Sequence, residues 1–207
     1  MGTFDEIRRR SIEVAHSLGY EINLGLPLLD ETLSIRLEDD IAKRALALHA
    51  VVASSYGFPS QKSLEWLQQE GLLTALSNRE KKFLQRKENG LSFQLQAECL
   101  WVFAWLFNRI ETLDFTRPCE DNLVALYPDL LTEQSSSEWR RGNKLRAQEE
   151  ILQANDLAYC LHWSLNESVI NKRKHPSRIK PVVIVERRRA LEWVLGQDNW
   201  DDVALDT

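Results

Sequence analysis

The stretch SFQLQAECLWVFAWLFNRI, Ser92 to Ile110, decides the fold. Its core, Cys99 to Phe107, is nine residues without a charge, and apolar side chains point to every side of the helix it would form. A helix that is apolar all round has to be enclosed. The run is far short of the roughly 20 residues that cross a bilayer, so the enclosure is other protein. A central buried helix is therefore expected over about 92–109, with the rest of the chain packed around it.

Working outward, the flanking segments carry apolar residues at helical spacing, and strand-like alternation is almost absent. Thr3 and Glu6 have the form of a capping box, opening a helix with Ile7, Val14, Ala15 and Leu18 inward and Gly19 at its end. A second helix is expected from Glu38 to Tyr56 and a third from Ser60 to Gly71. A fourth is expected to start at Ser77, with Glu80 reaching back to cap it. Asn89-Gly90 marks a turn, and a short helix is expected near Leu123 to Tyr127. The longest pattern begins at Glu138 or Asn143 and reaches Ile170. A last helix spans Val182 to Leu195. Six to eight helices make the fold class all-α, a compact single-domain bundle over residues 1–207.

Composition narrows the function classes. A net charge of −5 gives no default affinity for nucleic acid or an anionic membrane. The basic segments NKRKHPSRIKP and EWRRGNKLR interleave no aromatic of the kind single-strand binding uses; they read as solvated loops. Three cysteines, Cys99, Cys119 and Cys160, are odd in number and lack CxxC spacing, which suits reduced thiols and a cytoplasmic location. MGTFDEIRRR has no apolar core of a signal peptide. His16, His49, His162 and His175 provide one ExxH, at Glu13, and no HExxH, so no metal is expected. Phosphate-cradling glycine motifs are absent and no cofactor is called for.

At about 100° per residue, three helices each place a charge where a core residue belongs. Arg187 falls among Val183, Ala190, Leu191 and Val194, with Arg188 and Arg189 on the flanks or outside. Glu98 sits beside Leu95, Val102 and Trp105, and Asp156 lies between Leu152, Tyr159, Cys160 and Trp163. A lone buried charge costs several kcal/mol, so one such group implies an opposite partner. Arg187 is expected to pair with Glu98, Asp156 or both, forming a buried ion cluster; Asp201 and Asp206 are further candidates. An enzyme reading would give Glu98 or Asp156 acid–base work and Arg187 an anionic group to hold. Seven tryptophans exceed what core filling requires. Trp139 and Trp200, at helix edges beside charges, are candidates for an interface with another protein.

ERRRALEWVLG (186–196) followed by WDDVALDT (200–207) resembles the C-terminal signature of the bacterial family labelled domain of unknown function 4272, roughly ERRxALxW, a spacer, then WDxVxxDT. RRRS, Leu26-Pro27, EDDIAKRALAL, LSNREKKFL, AECLWVFAWLF and NDLAYCLHWSL agree in order. Cys119-Glu120-Asp121 departs from an expected Cys-Asp pair. The resemblance implies an all-helical cytoplasmic protein and brings no activity, substrate or cofactor. A non-enzymatic protein-interaction or accessory role is the leading expectation. A hydrolase- or transferase-like enzyme built on the charged cluster, or an immunity-type role, are the alternatives. Oligomeric state stays open.

Overall fold

The computed structural model describes residues 3–30, 33–86, 90–174 and 179–207, apart from the side chains of Thr3 and Arg86. The proposed Thr3 cap, Asn89 and His175 therefore lie outside the described groups. Among the described residues there are nine α-helices and no strand. They are α1 (Thr3–Ser17), α2 (Glu38–Ser55), α3 (Ser60–Gln69), α4 (Asn78–Arg86), α5 (Leu91–Leu95), α6 (Ala97–Leu106), α7 (Ser136–Arg140), α8 (Gln148–Ile170) and α9 (Pro181–Leu195). Two of them, α5 and α7, have only five residues. Tight 3-10 turns occupy Leu73–Ala75, Asp121–Leu126 and Trp200–Asp202.

Every residue of α6 is buried, as an all-round apolar helix requires. It packs on α2 and α9, while α8 lies between α1 and α9. α2 follows suit, with Ile41, Ala45, Leu48 and Val52 buried along with most of their neighbours. The Ser77 and Glu80 capping box forms as the sequence implies. Ser77 N donates to Glu80 Oε2 at 2.7 Å and Glu80 N to Ser77 Oγ at 3.3 Å.

Three expectations need correction. The helix expected over 92–109 is two helices. At Gln96 the backbone bonds tighten to three-residue spacing, and its side-chain Oε1 accepts from Trp200 Nε1 at 3.3 Å. The chain then leaves helical conformation before 109, with Asn108 at φ 56°. The long helix starts at Gln148 rather than Glu138 or Asn143, because Gly142, at φ 73°, turns the chain after α7. The face of α1 is also rotated from its expected phase. Val14 is 42% exposed, and Arg8 and Ser11 turn inward with Ile7 and Ala15.

Candidate functional site

Arg187 is fully buried and meets Glu98 from the central helix. Its Nε donates to Glu98 Oε2 at 2.8 Å, with Nη2 2.7 Å from the same oxygen. The remaining guanidinium donors reach the carbonyls of Asp114 (2.7 Å) and Arg117 (2.9 Å). Glu98 Oε1 accepts from the backbone N of Cys119 at 2.9 Å. One ion pair thus joins α9 to α6 and also fastens the 114–119 loop over both. This is the use for which a rigid five-donor fork suits arginine and a lysine would not serve.

Asp156 does not join that cluster. It is held by Arg8, whose Nη2 reaches Asp156 Oδ1 at 2.8 Å and whose Nε lies 3.1–3.2 Å from both oxygens. Arg8 then donates to the carbonyls of Leu26 (3.0 Å) and Pro27 (2.8 Å), so this second pair ties α1 to α8 and holds the loop after α1. The rotated phase of α1 hid the pair from the sequence reading, although Arg8 lies within about 20° of Ala15 around the helix. A third pair, Arg44 with Glu80, joins α2 to α4, and Arg44 Nη1 also donates to the Ala75 carbonyl at 2.7 Å. Arg188, expected on a flank, is buried as well. The chain's end returns over that flank, so Arg188 donates to the carbonyls of Leu205 (3.3 Å) and Asp206 (2.9 Å) and to His162 Nδ1 (2.8 Å). Asp201 and Asp206 make no ion pair with Arg187 among the described residues. Asp201 Oδ2 accepts from Arg79 N at 3.0 Å in the first turn of α4, where a carboxylate is favoured.

A common device emerges. Arg8, Arg36, Arg44, Arg109, Arg146, Arg187 and Arg188 each donate to backbone carbonyls away from their own helical turn. Each also sits over an aromatic ring at 4.3–5.8 Å: Arg36 on Trp193, Arg44 on Trp200, Arg109 on Trp139, Arg146 on Trp105, Arg187 on Phe115, and Arg8 and Arg188 on Tyr159. Loops in a helical bundle leave carbonyls that must be satisfied. A guanidinium does this while its flat face packs on an aromatic ring. Much of the tryptophan excess is explained here. Trp139 and Trp200, expected at an interface, are buried to 6% and 5% exposure. Trp200 packs on Phe103 and Trp193, and Trp139 on Phe107 and Tyr127.

The thiols are poor nucleophiles. Burial, with the adjoining Asp156 carboxylate, pushes Cys160 up to about 12; burial, with Glu98 nearby, does the same to Cys119. Cys99 is raised well above the ordinary thiol value by burial and by Glu186. Among the described residues no group of His, Cys, Asp or Glu is arranged to hold a metal ion. No helix of the described residues is long and apolar enough to cross a membrane.

The 114–119 loop leads directly into a surface pocket of about 330 Å³ between α2, α6 and residues 119–124. Val52, Ala53, Leu100 and Leu123 give it apolar walls. Tyr56 and Val124 stand at its mouth, 66% and 64% exposed. His49 lies at its base, buried, with Nε2 bonded to the Pro128 carbonyl at 3.0 Å. Desolvation lowers this imidazole to about 4, so it is neutral at pH 7. The His49 ring stacks on Tyr127, and Tyr127 on Trp139, which braces the segment carrying Leu123 and Val124. Sequence reasoning missed this site. No motif marks it, and its walls come from three separate stretches of chain.

These features define an all-helical protein clamped by arginine–aromatic junctions and carrying an open apolar pocket beside the 114–119 loop. Residues 7–203 match the family described as domain of unknown function (DUF4272), and the chain belongs to that family. Comparison with curated proteins and with solved structures gives no match in either case. Each prominent signature residue has a structural task. Arg187 and Arg188 dock α9, Trp193 and Trp200 meet edge to face with ring centres 5.8 Å apart, Asp201 caps α4, and Thr207 Oγ1 accepts from Asn166 Nδ2 at 2.6 Å.

Proposed function

We propose that the chain is a non-enzymatic interaction protein: a stiff helical platform that presents the pocket beside Tyr56 and Val124 to a protein partner. One observation carries this reading. The interior charges are matched to one another and to loop carbonyls, whereas two large apolar side chains remain exposed around a formed cavity. Monomeric proteins keep such surface small, and an exposed apolar cavity favours recognition. An enzyme built on Glu98, Asp156 and Arg187 would need one acid free to take a proton and a guanidinium free to hold an anion. Each of the three is already committed to protein partners, in two separate junctions.

The test is site-directed photocrosslinking in the source cell, with p-benzoylphenylalanine at Val124 or, as a control, at Leu24, which is 79% exposed and lies in the loop after α1. A discrete protein captured from position 124, absent from position 24 and lost on Tyr56→Asp with an unchanged melt, is the expected result. No capture, or the same species from both positions, would overturn the reading.

A further inference from the structure

We propose that the pocket receives a single apolar side chain of a partner protein that carries a lysine or arginine beside it. This deepens the interaction reading and rests on it. Size comes first. At about 330 Å³ the cavity is near the lower end of ligand sites, roughly 300 Å³, which suits one ring or branched side chain rather than an extended ligand. Its interior offers no charge to a guest. The walls are aliphatic and His49 is engaged through Nε2 with Pro128, leaving Nδ1 as an acceptor without a partner among the described residues. Arg187, which lies behind Cys119, is already neutralised by Glu98.

Charge enters only at the rim. Glu120 and Asp121 line the mouth, are exposed, and form no ion pair among the described residues. Among the described residues no lysine or arginine lines the cavity. An incoming apolar anchor with an anionic neighbour would meet two uncompensated carboxylates, whereas a cationic neighbour meets two partners. The chain's net charge of −5 reinforces that preference at longer range. Rim charges of this kind set selectivity and approach more than bulk affinity, and the apolar anchor supplies the rest.

The experiment titrates three peptides, Ac-Phe-Lys-amide, Ac-Phe-Gln-amide and Ac-Phe-Glu-amide, into the full-length ¹⁵N-labelled protein at pH 7 and low salt, following backbone amide shifts. The expected order is Lys, then Gln, then Glu, with shifts centred on Ala53, Leu123 and Val124. Each exposed carboxylate should contribute roughly two- to fivefold. Glu120→Gln with Asp121→Asn should bring the three peptides together, and Ala53→Trp, which fills the cavity, should abolish the shifts. Should Ala53→Trp fail to fold, Val124→Asn at the exposed mouth replaces it. Equal binding by all three, a preference for the Glu peptide, shifts elsewhere on the molecule, or no shift at all would each overturn the proposal. Peptide binding at the pocket without a crosslinked partner at Val124 would leave this specificity standing and sink the interaction role. A captured partner with no charge preference among the peptides would do the reverse.

Discussion

The Arg187 junction and the mouth of the pocket are built on adjoining stretches of chain, yet they treat charge in opposite ways. At Arg187 a buried guanidinium and carboxylate satisfy each other and are completed by two loop carbonyls and a backbone amide. One and two residues beyond Cys119, Glu120 and Asp121 face solvent with no ion-pair partner among the described residues, beside exposed Tyr56 and Val124. Polar groups that hold a fold are consumed by it. Groups available for recognition are those the fold leaves unspent while bracing the surface around them. The same loop shows both conditions, and the first makes the second possible, because a pocket wall has to be held still to select a guest.

Breaking the junction should therefore cost far more than altering the pocket. Arg187→Ala strands a buried Glu98 and frees two loop carbonyls, so a loss of about 3–5 kcal/mol is expected in a denaturant melt. Arg8→Ala should cost a similar amount by stranding Asp156. Because the two pairs share no partner, the double variant should be additive within about 0.5 kcal/mol. A coupling well above that would show that Asp156 and Glu98 belong to one network after all.

A pH titration sharpens the same contrast. His49 under the pocket and His162 beside Arg188 are both lowered to about 4, each by desolvation first and His162 also by the neighbouring guanidinium. The unfolded chain, with imidazoles near 6.5, then binds more protons than the native one between about pH 6.5 and 4. Stability should therefore fall as pH drops through that window, by up to about 1.4 kcal/mol per pH unit for each imidazole. His49→Gln should remove part of that slope in chemical melts, and an unchanged slope would contradict the buried neutral imidazole.

Smaller effects follow at partly exposed groups. Arg189 pairs at 3.0 Å with Glu186, which is itself mostly buried, so Arg189→Ala should cost about 1 kcal/mol. At the pocket, Tyr56→Ser and Val124→Ser should change stability by no more than about 0.5 kcal/mol. A large loss there would mean that the exposed side chains serve the fold, and the contrast between the two regions would fail.

Much of the fold was legible in the sequence because helical burial is a local, periodic property. Cys99–Phe107 announced an enclosed helix, Ser77 and Glu80 their capping box, and Arg187 its inward position, all from spacing alone. Arg187 could be seen as needing a carboxylate because a buried charge has to be compensated wherever it lies. Which carboxylate it met could not be read, since Glu98 and Asp156 had equal standing on their own helices. Only the placing of α1 against α8 gave Asp156 to Arg8. Arg188 looked peripheral for a similar reason: the chain's own end covers that flank, and a return of this kind leaves no trace in the periodicity of α9.

By itself, then, the sequence determined which faces are apolar and which charges must find partners, because both follow from residue spacing within one helix and from the cost of desolvation. Tertiary structure alone decided the pairing of those charges and the existence of the pocket. Both depend on distances between segments far apart in the chain, set by the packing of all the helices together.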